Sequence, residues 1–217
     1  MPAILVANGD TWRDELVAVL AAGEKPTDAM KARYRHPEIK DAILTETGKK
    51  CAYCESKVRH IAYGDIEHII PKSKVPAKSY DWSNLTLACD ICNTNKGDYY
   101  SDDPANSQDG LIDPYADNPR DHFLFLREVV SPRPDSLRGY ATEQVLKLTR
   151  GELLERRRER MAFIDGMVLA YTLAEPAYKS AILATLYDNH LKDDDEYAGI
   201  VGAYIEHLQS LGTLPST

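Results

Sequence analysis

Four cysteines in two close pairs, Cys51-x-x-Cys54 and Cys89-x-x-Cys92, constrain this chain more than any other feature of its sequence, with 34 residues between the pairs. Two residues between thiolates let both sulfurs of a pair reach one tetrahedral ion, so the four positions describe a closed, structural Zn²⁺ site. Two disulfides, or four unrelated core thiols, are the competing readings. A reducing cytosol disfavours the first, and unrelated thiols have no reason to fall in such pairs. A chain with this pattern must carry residue 51 next to residue 92, so the segment between them has to double back.

A length of 217 residues suffices to bury a core without further staples. The start of the chain has only a short apolar run, Ala3 to Ala7, closed by Asn8-Gly9-Asp10, and no window approaches the roughly 20 apolar residues of a membrane span. A soluble, cytoplasmic protein without a membrane partner is the expectation. The net charge of −8 argues against an autonomous, non-specific nucleic-acid binder. Between Lys49 and Asp98, however, eight Lys and Arg face six Asp and Glu, a net of +2 that leaves −10 on the remainder. The centre can meet a phosphate, with a partner supplying part of the grip.

Periodicity places helices around this centre. One is expected from Asp10 to Leu20, with Leu16, Val19 and Leu20 on one side and Gly23 as its stop. A second starts near Thr27, breaks before Pro37 and resumes to Thr47, with Ile39, Ile43 and Leu44 as a buried stripe and Gly48 past its end. From Cys54 to Pro71 the residues Val58, Ile61, Tyr63, Ile66, Ile69 and Ile70, set about Gly64-Asp65, read as a β-hairpin. A loop from Pro71 to Asn84 and a helix from Asp90 to about Tyr100 follow, giving the order strand, strand, loop, helix. Residues 101–121 read as an ordered loop and Phe123 to Leu126 as a short strand.

From Thr142 the period is helical, through Leu146, Leu154, Met161, Ile164, Val168 and Tyr171, with further helices at Pro176 to Asn189 and Asp194 to Leu211. The fold class is therefore α+β, a mainly helical chain around a central metal-stapled module. The expected division is 1–48, 49–100 and 101–217, packed as one compact domain.

Within the centre, Glu67 can bind a divalent ion, and a neutral His68 imidazole can take a proton from water near pH 7. Alone, this dipeptide reads as a surface pair; the cysteine pairs change that by clamping its strand to the helix that carries Asn93. The Asn93 amide oxygen can serve a hard cation or simply cap the helix. Lys96, one turn later, and Lys72, in the loop, can hold a phosphate or be solvated. Asn84 can brace the loop behind the histidine or act as a turn residue. Farther along, Arg156-Arg157-Arg158-x-Arg160 can touch nucleic acid or a partner, but Glu152, Glu155 and Glu159 interleave with it, which favours a solvated helix with internal ion pairs.

Cys-x-x-Cys, Glu-His-Ile-Ile-Pro, Asn-Leu and Cys-x-x-Cys-Asn-x-x-Lys, taken in this order over residues 49–98, resemble the HNH endonuclease motif, with its ββα-metal fold and zinc-bound cysteine pairs. The resemblance implies that His68 is the general base, Asn84 the central Asn and Asn93 the last position, where many members have His. It implies that Glu67 is a ligand of a catalytic Mg²⁺ or Mn²⁺, where many members have Asp, and that the product carries a 5′-phosphate. Adjacent residues of a regular strand face opposite sides, so Glu67 and His68 flank one phosphate only if the strand bends or ends there.

The segments Lys-Cys-Ala-Tyr-Cys-Glu, Pro-x-x-His-Phe-x-Phe and Val-Leu-x-Leu-Thr-Arg-x-x-Leu-x-x-Arg further resemble the HNH subunit of Septu-type antiphage systems, which also accompanies some retrons. That likeness implies an ATPase partner. DNA is favoured over RNA as substrate. An RNA- or tRNA-cleaving nuclease of retron type, and a catalytically inactive zinc-stabilised binding module, remain the competing functions.

Overall fold

Helix α1 (Ala3–Ala21) opens the chain, starting well before Asp10. Asn8-Gly9-Asp10 does not break it, because tertiary contacts outweigh local propensity. Leu5 is buried with Leu16, the Ile4 N–H donates to Glu38 Oε1 at 3.0 Å, and Asn8 donates back to Ile4 O. The computed structural model describes residues 1–58, 64–102 and 110–215.

The next two helices follow the sequence expectation. Thr27 caps α2 (Asp28–Ala32) by accepting from Met30 N at 3.2 Å, and a single 3₁₀ turn, Arg33–Arg35, leads into α3 (Pro37–Glu46). Ile39, Ile43 and Leu44 of α3 are buried. Gly48 then takes a positive φ of 58°, and the chain enters the turn that holds Cys51 and Cys54.

Strand β1 (Asp65–His68) pairs antiparallel with β2 (Leu85–Ala88), Asp65 opposite Ala88 and His68 opposite Leu85. β2 runs directly into α4 (Asp90–Lys96). The order is strand, loop, strand, helix, which corrects the expected hairpin between Cys54 and Pro71. Val58 lies outside the named strands, Ile69 and Ile70 follow β1, and Ile61 and Tyr63 fall outside the described residues. β2 escapes a period-two search because its four residues, Leu-Thr-Leu-Ala, are all buried and show no inside-outside alternation.

A second two-stranded sheet, β3 (Phe123–Leu126) with β4 (Val129–Pro132), precedes four helices: α5 (Leu137–Leu146), α6 (Gly151–Leu173), α7 (Pro176–His190) and α8 (Ala198–Ser210). α5 starts before Thr142 because Ser136 caps it through Gly139 N at 3.0 Å. On α6 the buried leucine is Leu153 rather than Leu154. Arg156 pairs with Glu159 and Arg158 with Glu128, as a solvated helix would, whereas Arg157 is buried and donates to Leu148 O at 2.8 Å. Buried residues of the N-terminal helices, the ββα unit and the C-terminal helices form one contiguous core. Among the described residues no helix is long and apolar enough to cross a membrane.

Gly48 sits where a Cβ would come within 2.5 Å of Asp194 Cβ, on a backbone already in the left-handed region. Gly48→Ala is expected to lose about 1–3 kcal/mol of stability, from positive φ and crowding together. Urea denaturation with an unchanged slope checks this.

Candidate active site and metal centre

The sulfurs of Cys51, Cys54, Cys89 and Cys92 all lie within 4.8 Å of one another, and none of the four is in a disulfide. Zn–S bonds of about 2.3 Å in a tetrahedron put neighbouring sulfurs about 3.8 Å apart. Cys54 Sγ and Cys89 Sγ are 3.8 Å apart, so the donor set fits such an ion. Local structure explains the convergence. The first pair sits in a tight turn tied to β2 by Ala52 N–H donating to Leu87 O at 2.8 Å. The second pair spans the start of α4, where Cys89 caps the helix by accepting from Cys92 N at 3.4 Å. Arg150 Nη1 lies 3.8 Å from Cys92 Sγ and supplies positive charge beside the sulfurs.

A polar cleft of about 360 Å³ opens beside this centre. All four residues of β1 line it, so both faces of the strand border the cleft. Glu67 and His68 therefore both reach it although their side chains alternate. Asn93 and Lys72 line it as well.

His68 ends β1 and is buried. Its Nε2 is 3.0 Å from Ser79 O; a carbonyl only accepts, so Nε2 carries the proton and Nδ1 keeps the lone pair. Burial, reinforced by Lys72 and Lys96, lowers its pKa to about 4, so the ring is neutral near pH 7. The Tyr34 ring meets it edge-on, centroids 4.6 Å apart.

Glu67 receives Lys96 Nζ at 2.6 Å, and Lys96 also donates to His68 O at 2.8 Å. Burial raises the Glu67 carboxyl above its ordinary value, against the opposing pull of Lys96 and Lys72. Lys96, expected to meet a phosphate, is instead only 3% exposed and engaged by Glu67. Asn93 does not cap α4, a role Cys89 takes; its Nδ2 donates to Asp65 Oδ2 at 3.0 Å. Carboxylates of Asp65 and Glu67 and the Asn93 amide are hard oxygen donors of the kind Mg²⁺ and Mn²⁺ take.

Asn84 does not line the cleft. Its Oδ1 accepts from Ile70 N at 2.7 Å, and its Nδ2 donates to Ile70 O and Lys78 O at 3.0 and 3.1 Å. It therefore ties both ends of the loop whose Ser79 carbonyl orients His68. Sequence reasoning missed Tyr34, Arg35, Lys40 and Asp65, all of which line the cleft. The interleaved Arg33-Tyr34-Arg35 was the available signal for the first two.

Residues 51–99 match the model of the HNH endonuclease family. The chain is 32% identical over 113 residues to Septu protein PtuB of Bacillus thuringiensis, a match covering 52% of this chain and 41% of that protein. It is 25% identical over 150 residues to Septu protein PtuB of Bacillus mycoides (strain KBAB4), covering 57% of this chain and 51% of that protein. The chain thus spans about half or less of the length of these curated relatives.

Cys89→Ser is expected to lose bound metal and folded protein together, because a structural ion contributes folding energy directly. Metal content and thermal melting of the purified variant check this; a wild-type melting midpoint would contradict it. The His68 ring, neutral when folded with a pKa of about 4 against 6.5 in the unfolded chain, also makes a pH prediction. The unfolded chain takes up the proton first, so stability is complete above about pH 6.5 and falls as pH drops toward 4. Between pH 7 and pH 5, without added Mg²⁺ or Mn²⁺, wild type should lose about 2 kcal/mol more than His68→Gln in urea titrations.

Proposed function

We propose that this chain, which carries an HNH endonuclease domain at residues 51–99, is a metal-dependent nuclease that hydrolyses phosphodiester bonds, with DNA as its substrate. The observation that carries this reading is the single cleft bordered by a neutral, oriented imidazole, oxygen donors and cations. Asp65, Glu67 and Asn93 would hold one Mg²⁺ or Mn²⁺. When bound, such an ion offsets charge on the phosphoryl group and the leaving 3′ oxygen. The lone pair on His68 Nδ1 takes the proton from the attacking water, while the Nε2–H bond to Ser79 O keeps the ring in that tautomer. Asn84 holds the Ser79 loop, and Lys72 meets a substrate phosphate. Lys96 fixes the Glu67 carboxylate rather than touching substrate. The four cysteines hold structural Zn²⁺. The domain reading is 1–48, 49–100 and 101–217 packed as one compact unit, and the shared core supports the packing.

The relatives named Septu protein PtuB support a place in antiphage defence. By the same resemblance the chain works with an ATPase subunit in the cytoplasm. A net charge of −8 supports that assignment, since the acidic chain needs a partner to hold a polyanion. The exposed Leu169, Leu173 and Tyr178 of α6 and α7 offer apolar surface for one.

Incubation of the zinc-loaded protein with supercoiled plasmid and with total RNA, in Mg²⁺ or Mn²⁺ and with and without the ATPase subunit, tests the reading. Plasmid nicking is expected, with a loss of at least about a hundredfold in His68→Ala at unchanged zinc content. Cleavage by His68→Ala at the wild-type rate would overturn the role of the histidine, and cleavage of RNA alone would reassign the substrate.

A further inference from the structure

Arg35 and Lys72 are held in the cleft by a neutral oxygen. Lys72 Nζ donates to Tyr34 Oη at 2.9 Å and Arg35 Nε donates to the same atom at 3.1 Å. Among the described residues no carboxylate lies within ion-pairing distance of either cation, although most arginines farther along the chain, such as Arg120, Arg127, Arg138 and Arg158, have carboxylate partners. Two positive charges converging on one phenol oxygen repel each other, and the phenol cannot neutralise them. An anion arriving between them removes that repulsion. Tyr34 Oη accepts both bonds, so its own proton remains available as a third donor. The Tyr34 ring, meanwhile, is buried against His68.

We propose that the turn Arg33–Arg35, which lies outside residues 51–99, forms a phosphate-binding wall of the catalytic cleft. Arg35, Lys72 and the Tyr34 hydroxyl grip a phosphodiester oxyanion of the nucleic-acid strand, and Tyr34 is a positioning residue that orients His68 through its ring and the two cations through its oxygen. Placement supports this: α2 and the turn are locked over the cleft by Tyr80 Oη donating to Met30 O at 2.6 Å and by Trp12 packing edge-on against Tyr80. Lys40, also lining the cleft, donates to Gly64 O at the mouth of β1 and closes the same wall. Arg35 suits the role because a guanidinium bound through Nε still presents its two terminal nitrogens as a fork to phosphate oxygens.

The proposal rests on the nuclease reading, and the test separates the two. Full-length Arg35→Gln, Tyr34→Phe and Tyr34→Leu are compared with wild type by plasmid-cleavage kinetics in Mn²⁺. Binding of a fluorescein-labelled 20-mer duplex without divalent metal is measured in parallel by anisotropy. Arg35→Gln and Tyr34→Phe should each raise KM and the duplex Kd about tenfold with kcat within about twofold, as expected for loss of a charge-assisted phosphate contact. Arg35→Gln should also lower the salt slope of binding by about one. Tyr34→Leu should lower kcat as well, and Tyr34→Phe, which keeps the ring, should restore it. Wild-type KM and Kd in both Arg35→Gln and Tyr34→Phe would overturn the phosphate wall even if Tyr34→Leu failed to fold. Equal kcat in Tyr34→Leu and Tyr34→Phe would overturn the positioning role. If wild type cuts no nucleic acid yet Arg35→Gln still weakens duplex binding, the nuclease reading fails and the phosphate wall stands.

Discussion

The four-sulfur cluster is the constraint on which the rest of the site depends. Two strands of four residues and a helix of seven are too short to persist alone in water. Their mutual position is set where the turn at Cys51 and Cys54 meets the start of α4 at Cys89 and Cys92. An ion held there would close that loop and replace many weak contacts by one strong one. The consequence reaches the cleft directly, because Asn93 and Lys96 follow Cys92 on the same short helix and face Asp65 and Glu67 of β1. Arg150 and the buried Arg157, on the C-terminal side, add positive charge next to the sulfur cluster.

Electrostatics in the cleft run against those of the chain. The protein is acidic overall, yet Arg35, Lys40 and Lys72 rim the cleft while Asp65 and Glu67 lie along its floor strand. Lys96 is the internal counterweight. Buried with Glu67, it favours the charged carboxylate against the upward pull of burial, and its second bond to His68 O ties the strand end to α4. A buried pair of this kind adds little net stability but fixes the geometry of the carboxylate.

The N-terminal helices are part of the same machinery. α1 packs on the 3₁₀ turn Pro76–Lys78, which leads into Ser79, the residue that orients His68. Tyr80 links that loop to Met30, and the adjoining turn places Tyr34 against the imidazole. The histidine is therefore oriented from two sides, by a backbone carbonyl on one and an aromatic edge on the other. Neither group lies in β1 or α4, the elements that carry His68 and the oxygen donors beside it.

The sequence by itself determined the four-cysteine cluster and the helices begun by Thr27 and Pro37, and it singled out His68, Glu67, Asn93 and Asn84 as candidates. Each rests on local chemistry: ligand spacing, capping, or a motif read along the chain. Tertiary structure decided the rest. It paired β1 with Leu85–Ala88, a strand hidden because burial on both faces erases its alternation. It extended α1 back to Ala3, because Ile4 has a partner far along the chain and Leu5 is buried in the core. It took Lys96 out of solvent to hold Glu67, and it brought Tyr34 and Arg35 to His68 across more than thirty intervening residues. Spacing along a chain encodes which residues can share an ion, but only packing decides which distant surfaces close over it, because that choice depends on buried contacts no short window contains.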